Sequence, residues 1–236
     1  MRVAEILGVS KVFGEKVAVK DISFSVSERE CVGVIGLNGA GKTTLVSMVV
    51  GLLSPTAGSV KVFGKSPRSP EVRGKIGYLP ELFAPPPRLT PFELVRLFCG
   101  VLDVGRCRAE HLLELVGIMD VKDKLISKLS KGMKQRLGIA LVLVADPSFV
   151  VLDEPFTGLD PLGRYEMKEM IRELKNRGKT IIFSSHILQD VDELADRIIV
   201  MDRGNVVYNG LIGDFVSTLS AESLEDAFLK SVKGEV

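Results

Sequence analysis

The distribution of apolar and polar positions divides the first part of the chain into strand-like and helix-like segments. Apolar and polar residues alternate over the first thirty positions, with turn residues at Gly8 and Gly14. Such alternation is typical of strands with one buried face, so we expect antiparallel strands here. The residues that follow predict a buried strand at 31–36, a helix at 42–52 and another strand at 58–64.

The spacing of apolar residues becomes helical from about residue 84. The run Ala84-Pro85-Pro86-Pro87 is incompatible with a helix, and it leads to the tetrad Thr90-Pro91-Phe92-Glu93. This tetrad combines a capping box with proline at the first helical position, which is a strong signal for a helix start. Apolar residues then repeat at helical spacing in segments that end at Gly117 and before Asp146. The section 84–146 is therefore predicted to be entirely helical.

Strand-like and helix-like segments alternate in the rest of the chain. Strands are predicted at 149–153, 179–184 and 197–202, and helices are predicted between them at 161–176 and 187–195. Alternation of this kind implies a mostly parallel sheet.

The predicted fold class is therefore α/β. It has a mostly parallel sheet, an N-terminal antiparallel β section and an inserted all-helical subdomain. We expect a single domain over 1–236, with a core at 1–83 and 147–236, a helical subdomain at about 84–146 and a C-terminal helical tail at about 211–236.

Composition narrows the possible partners and location. The chain has 31 Lys and Arg residues against 30 Asp and Glu residues, a net charge of +1. This balance gives no electrostatic reason to expect nucleic acid as a partner. The longest apolar run, Ile139 to Ala145, is too short to span a bilayer, and Glu5 lies where a signal peptide would be apolar. We expect a cytoplasmic chain that reaches a membrane only through another subunit.

The cysteines predict neither a disulfide nor a metal site. Cys31, Cys99 and Cys107 are odd in number, and none of them forms a C-x-x-C pair. A reduced environment is the simplest interpretation of this pattern.

A phosphate-binding motif begins at the end of the strand predicted at 31–36. It is the octet Gly36-Leu37-Asn38-Gly39-Ala40-Gly41-Lys42-Thr43, which fits the pattern G-x-x-x-x-G-K-[ST]. Its glycines let backbone N–H groups curl around a phosphate, Lys42 reaches the outer phosphates, and Thr43 offers a hydroxyl to Mg²⁺. The helix that follows adds its positive N-terminal end to the same anion site. The chain is therefore predicted to bind a nucleoside triphosphate.

Two acids close the apolar strand predicted at 149–153. Asp153 ends this strand, and Glu154 follows it. The carboxylate of Asp153 would lie at the C-terminal edge of the sheet beside the phosphate loop, where it can hold Mg²⁺. Glu154 points the opposite way and suits the polarisation of an attacking water.

The order of these motifs resembles a known family. The phosphate loop is followed by a helical section, by the octet Leu129-Ser130-Lys131-Gly132-Met133-Lys134-Gln135-Arg136, and by the strand that ends at Asp153. Together they resemble the nucleotide-binding subunit of an ATP-binding cassette (ABC) transporter, over nearly the whole chain. The octet 129–136 distinguishes this family from other phosphate-loop ATPases, because they lack it.

The resemblance implies an ATPase with ATP and Mg²⁺ as cofactors. Catalytic roles are implied for Lys42, Glu154 and His186, the last as the switch histidine, and metal ligation is implied for Thr43, Glu81 and Asp153. Phe13 matches the aromatic residue that stacks on adenine. The implied nucleotide contacts are Phe13, Gly36, Leu37, Asn38, Gly39, Ala40, Gly41, Lys42, Thr43, Thr44, Ser130, Gly132 and Asp160.

The octet 129–136 also implies an assembly. Ser130 is a good N-cap, and a helix N-terminus with a free hydroxyl and the flexible Gly132 is an anion site. In this family the site is offered to the γ-phosphate held by a second subunit, and Asp160 belongs to a loop that crosses the interface. The resemblance therefore implies that two chains, a homodimer or a pair with another cassette, close head to tail over two ATP molecules.

Three positions depart from the usual family pattern. The signature is usually Leu-Ser-Gly-Gly-Gln, whereas Lys131 and Met133 occupy its third and fifth positions here. Glu81 stands in the loop that normally contributes Gln to Mg²⁺, and its oxygen can still ligate the metal. These departures are similar to the branch of the family that is paired with export-type membrane subunits.

Two functions remain open at this stage. The leading hypothesis is the ATP-hydrolysing subunit of a transporter, held at the cytoplasmic face of the membrane by a membrane-spanning subunit. Under this hypothesis, segment 78–87, with the apolar Leu79, Leu82 and Phe83, would receive a short helix of that subunit. The alternative is a soluble ABC-type ATPase that serves a cytosolic assembly complex.

Overall fold

The computed structural model describes residues 1–104 and 108–233. Cys107, part of the predicted helical section and the end of the predicted tail lie outside these residues. The described strands are β1 (Arg2–Phe13), β2 (Lys16–Ser27), β3 (Cys31–Ile35), β4 (Ala57–Val62), β5 (Ile76–Leu79), β6 (Phe149–Leu152), β7 (Thr180–Ser185), β8 (Arg197–Asp202) and β9 (Asn205–Gly210). The described α-helices are α1 (Lys42–Val49), α2 (Pro70–Arg73), α3 (Pro91–Val101), α4 (Ala109–Leu115), α5 (Lys131–Val142), α6 (Pro161–Asn176), α7 (Leu188–Leu194), α8 (Ile212–Thr218) and α9 (Leu224–Lys233).

The strands form two sheets. The larger has the order β5-β6-β7-β3-β8-β9, in which β5 to β8 run parallel and β9 pairs antiparallel with β8. The smaller is antiparallel, with the order β2-β1-β4. The predicted α/β class, the mostly parallel sheet and the N-terminal antiparallel section are confirmed.

The larger sheet lies between two apolar layers, and its strands β3, β6 and β7 are buried on both faces. On one face, Val32, Val34 and Ile182 pack with α1 and the smaller sheet. On the other face, Ile35 and Ile181 pack with helices of the section 91–145 and with α6, α7 and α9. Burial on both faces explains why β3, β6 and β7 have continuous apolar sequences rather than alternating ones.

The helix start predicted at Thr90 is present. The Thr90 hydroxyl accepts a hydrogen bond from the Glu93 amide at 3.2 Å, and the Thr90 amide donates to the Glu93 carboxylate at 2.9 Å. The regular elements described between residues 91 and 145 are α3, α4, α5 and short 3-10 turns. Three elements were not predicted from the sequence, namely β5, β9 and the single-turn helix α2.

The cysteines differ from the expectation in one respect. Cys31 is a free thiol in β3, and burial raises its pKa to about 12. Cys99 is disulfide-bonded, so the prediction of no disulfide is wrong for this residue. Among the described residues, no helix is long and apolar enough to cross a membrane.

Candidate nucleotide site

The phosphate loop joins β3 to α1 through a backbone that requires glycine. Gly39 and Gly41 have φ angles of 84° and 104°, in the left-handed region that other residues rarely adopt. A Cβ atom on Gly41 would lie 2.5 Å from the carbonyl oxygen of Ala18, and one on Gly36 would lie 2.5 Å from that of Met201. Gly36 and Gly41 therefore fill positions where a side chain would not fit, whereas Gly39 is favoured by its backbone angle alone.

Lys42 is held inside this loop. Its side chain is only 6% exposed, and its ammonium donates a hydrogen bond to the Gly36 carbonyl at 2.7 Å. The same ammonium lies 3.1 Å from Oε1 of Glu154. A buried charge needs a partner of opposite sign, and each of these two residues provides it for the other.

Asp153 lies at the end of β6, next to the start of α1. Its Oδ1 accepts hydrogen bonds from the Ser184 hydroxyl at 2.6 Å and from the Thr43 hydroxyl at 3.3 Å. Burial raises the pKa of Asp153, and these two hydrogen bonds partly oppose that rise.

The surroundings of Oδ2 of Asp153 test whether this residue could ligate Mg²⁺, as the family resemblance implies. Oδ2 is buried and has no hydrogen-bond partner among the described residues. Leaving a carboxylate oxygen unsatisfied is costly, and oxygen ligands are those that Mg²⁺ prefers. The residues present at this position therefore fit a magnesium ion.

Glu154 is fixed by three neighbours. Its amide donates to the Ser184 hydroxyl at 2.8 Å, and its Oε2 lies 2.7 Å from Nδ1 of His186 and 3.3 Å from the Thr157 hydroxyl. Its φ of 48° is unusual for a residue other than glycine. Strained backbone of this kind persists where the surroundings determine it, and it often marks a functional position.

Lys42, Thr43, Glu154 and His186 line a cavity of about 530 Å³. It is lined by residues from β2, the phosphate loop, the segment after β5, and the turns after β6 and β7. The lining residues are Lys16, Ala18, Asn38, Gly39, Gly41, Lys42, Thr43, Thr44, Glu81, Glu154, Thr157 and His186. The structure thus brings together the phosphate-loop residues, Glu81, Glu154 and His186.

Several residues singled out from the sequence do not line this cavity within the described part of the chain. Phe13 ends β1 and is 46% exposed, with the Lys11 ammonium 5.1 Å from its ring centroid. Ser130 is an exposed N-cap whose hydroxyl accepts from the Met133 amide at 3.2 Å. Asp160 caps α6 by accepting from the Gly163 amide at 2.8 Å. The remaining ones are Gly36, Leu37, Ala40, Gly132 and Asp153, the last of which lies behind Thr43.

The sequence did not single out Ser184 as a site residue. Its hydroxyl donates to Asp153 and accepts from the Glu154 amide, so it joins the two acids. The available signal was a small hydroxyl residue at the end of an apolar strand, and the parallel pairing of β6 with β7 places that strand beside the acids.

Comparison with known proteins places these observations in a family. Residues 19–157 match the family model described as ABC transporter. An uncharacterised ABC transporter ATP-binding protein of Bacillus subtilis, YxlF, is 40% identical over 221 residues, which cover 92% of this chain and 72% of that protein. The Nod factor export ATP-binding protein I of Bradyrhizobium diazoefficiens is 37% identical over 212 residues, 87% of this chain and 69% of that protein.

Solved structures give the same result. The structure of an ATP-binding subunit of an ABC transporter superposes with a TM-score of 0.86 at 28% identity, covering 97% of this chain and 99% of that one. A dimeric ATP-binding cassette in a post-hydrolysis state, bound to ADP and phosphate, superposes with a TM-score of 0.79 at 25% identity, covering 88% of this chain and 98% of that one.

The chain therefore belongs to the ABC transporter ATP-binding family. The resemblance drawn from its motifs is confirmed, including the similarity to export-type members, and the transporter function is favoured over a cytosolic assembly complex. The chain covers 62% of the length of another relative, an uncharacterised ABC transporter ATP-binding protein of Nostoc, with which it is 39% identical over 208 residues.

Proposed function

We propose that this chain hydrolyses ATP with Mg²⁺ and thereby drives transport through a separate membrane-spanning subunit. The observation that carries this proposal is the convergence of three side chains at the carboxyl end of a parallel sheet. Lys42 and Glu154 line one cavity and pair with each other, and Asp153 is hydrogen-bonded to Thr43, which lines the same cavity. A cavity at this edge of an open α/β sheet is where such folds bind ligands.

Each side chain has a distinct role in the proposed reaction. Lys42 and the amides of the phosphate loop bind the phosphates, while the oxygens of Thr43 and Asp153, with Glu81 nearby, hold the metal. Glu154 accepts the proton of the attacking water, and His186 holds the Glu154 carboxylate in place. When bound, Mg²⁺ neutralises charge on the phosphates.

We further propose that two chains complete each site. Ser130 is exposed at the start of α5, and Asp160 is exposed in the loop before α6, yet neither lines the cavity of its own chain among the described residues. A second subunit would bring these groups to the phosphates. The similar cassette bound to ADP and phosphate is itself dimeric.

An apolar groove supports a partner at the membrane. A cavity of about 540 Å³ is lined by Tyr78, Leu79, Pro80 and Phe83 from the predicted docking segment, and by apolar residues of α3. Among the latter, Leu97, Phe98 and Val101 are 53%, 38% and 75% exposed. Leu82 is 87% exposed and does not line the groove among the described residues.

The shape and chemistry of this groove suit an amphipathic helix. An exposed apolar patch of this kind marks a site of interaction, and a helix lays its apolar face into such a groove. We propose that a short cytoplasmic helix of the membrane-spanning subunit docks here.

Two substitutions separate a loss of docking from a loss of folding. Val101→Asp places a charge in the groove at a position that is 75% exposed, so the fold should be retained. Leu229→Asp places the same charge on α9, at a position that is 50% exposed. The wild-type protein should show magnesium-dependent ATP hydrolysis and should co-purify with a membrane-spanning protein from native membranes.

We expect Val101→Asp to lose co-purification and keep the ATPase activity of the isolated chain, while Leu229→Asp retains both. Retention of the membrane partner by Val101→Asp would contradict the docking site. Recovery of the chain with a soluble complex alone would favour the cytosolic alternative.

A further inference from the structure

A partly buried ion pair joins the helices that follow the two strands of the catalytic site. Asp190 in α7 is fully buried, and its two carboxylate oxygens accept hydrogen bonds from one guanidinium nitrogen of Arg164 in α6, at 2.9 and 3.0 Å. Lys168 lies 3.7 Å from the same carboxylate. Nε of Arg164 is also buried, without a hydrogen-bond partner among the described residues.

Stability alone does not explain the Arg164–Asp190 ion pair. Burying the Asp190 carboxylate carries a desolvation cost that its attraction to Arg164 must offset, and the unsatisfied Nε of Arg164 adds to that cost. Apolar residues of similar volume in place of such a pair are often neutral or stabilising. The pair therefore calls for an explanation based on its position.

One end of the pair lies close to the loop proposed to cross the dimer interface. Arg164 is in the first turn of α6, where its amide donates to the carbonyl of Asp160 at 2.9 Å. Asp160 caps the same helix through its side chain. A displacement of this loop would therefore move Arg164 with it.

The other end lies close to the catalytic acid. Asp190 is four residues after His186, and the Ser185 hydroxyl accepts from the Ile187 amide at 3.0 Å, across the turn that contains His186. His186 in turn lies 2.7 Å from Glu154. The position of α7 therefore determines the position of the histidine that holds the catalytic carboxylate.

The packing of α7 leaves it little freedom to adjust. Val191, next to Asp190, sits over Gly33 of β3, where a Cβ atom would lie 2.6 Å from its Cγ1. Such close contact with a central strand limits how far the helix can move without a steric clash. A pull on Asp190 would therefore be passed on to His186.

We propose that Arg164 and Asp190 are positioning residues for ATP hydrolysis, which transmit the position of the loop at Asp160 to the contact between His186 and Glu154. The inference rests on the proposed function, because it concerns the turnover of ATP. Neither residue lines the nucleotide cavity among the described residues, so both act through His186.

The primary test is Asp190→Asn. The substitution is nearly isosteric and removes the buried charge, while Arg164, 30% exposed, can turn to water. We expect kcat to fall about tenfold and the KM for ATP to change by less than about twofold. The double variant Arg164→Gln with Asp190→Asn leaves no buried charge, and the same loss of kcat is expected if the single variant fails to fold.

The matched control is Arg172→Gln. Arg172 lies about two turns further along α6 and pairs with Glu193 of α7 at 3.0 Å, so it joins the same two helices away from the catalytic site. We expect its kcat to stay within about twofold of the wild-type value. Equal kcat losses in the two variants would indicate a general loosening of the helices and would overturn the proposal.

A double-mutant cycle separates positioning from structural damage. Single-turnover ATP hydrolysis is measured for His186→Ala with and without Asp190→Asn. Because Asp190 acts through His186, we expect no further loss of rate when both are changed. A loss that multiplies with that of His186→Ala would overturn the inference.

The outcomes distinguish this inference from the proposed function. Absence of hydrolysis by the wild-type protein would overturn both. Wild-type hydrolysis together with an unchanged kcat in the folded Asp190→Asn variant would overturn the positioning role alone.

Discussion

The phosphate-loop cavity and the start of α5 both present groups suited to a phosphate, but only the first is built by its own chain. Lys42 lines the cavity and is 6% exposed, Asp153 behind it is fully buried, and each is held by contacts from other elements. At the start of α5, Ser130 is exposed, and the nearest atom to a Cβ on Gly132 would be 3.8 Å away, on Leu159. One site is preorganised by the interior, whereas the other is open to a second molecule.

The difference indicates which substitutions should affect the chemistry of a single chain and which should affect the association of two chains. Substitutions in the cavity should change chemistry or nucleotide affinity. Substitutions at Ser130 should instead change an assembly, because its side chain is exposed at the start of α5.

The largest effect is expected for Glu154→Gln. Removing the carboxylate should lower the rate of ATP hydrolysis by about 10²–10⁴-fold, the usual range for a positioned base. ATP binding should survive, because Lys42 then loses a competing partner at 3.1 Å. Phosphate release and nucleotide affinity, measured on the same preparation, would check this. Hydrolysis at the wild-type rate would show that Glu154 is not the base.

A smaller effect on affinity is expected for Lys42→Ala. A hydrogen bond to a charged group contributes enough that its loss should weaken ATP binding by about tenfold to a hundredfold. Titration with a fluorescent ATP analogue would measure this. Lys16→Ala is the matched control, since Lys16 lines the same cavity and is not part of the phosphate loop. Equal losses in the two variants would contradict a special role of Lys42.

Ser130→Arg tests most directly whether the start of α5 binds a second molecule. In a Glu154→Gln background with ATP, light scattering should detect a dimer, and Ser130→Arg should raise its dissociation constant at least about tenfold by filling the anion site. Ser127→Arg adds the same side chain at an exposed position three residues earlier. A dimer that forms equally well in Ser130→Arg would place the interface elsewhere.

The smallest effect is expected for Thr90→Ala. Loss of this N-cap should lower the free energy of unfolding by about 1 kcal/mol, the typical contribution of a cap. ATP hydrolysis well below the melting temperature should stay unchanged, because Thr90 lies far along the chain from Ser130 and is outside the cavity. Chemical denaturation would measure the loss. No loss of stability would show that the capping box contributes nothing.

Local chemistry explains what the sequence predicted well. The bounds predicted for α6 agree with the structure, because Asp160 caps it and Pro161 begins it. The buried strands β3 and β6 are continuous apolar runs, and the phosphate loop has a pattern with few alternatives. In each case a short segment contains the whole signal.

Long-range pairing explains what the sequence did not predict. β5 has four residues including a glycine, and it becomes a strand because it pairs with β6, about seventy residues later in the chain. The ion pair between Lys42 and Glu154 and the bridging Ser184 also depend on elements far apart in sequence. The predicted roles of Phe13, Ser130 and Asp160 stay predictions, since they concern a nucleotide and a second chain.

The strand order has a consequence for how the protein folds during its synthesis on the ribosome. β3 pairs with β7 and β8. Cys31 can therefore pair with Ile181 of β7 only after 150 further residues have been made (181 − 31). At ordinary translation rates this takes about 7–30 s, during which the phosphate-loop strand has neither neighbour. The β1–β2 hairpin can form early, whereas the catalytic site is among the last features to assemble. A prematurely terminated chain would carry the complete phosphate-loop motif and still lack a site.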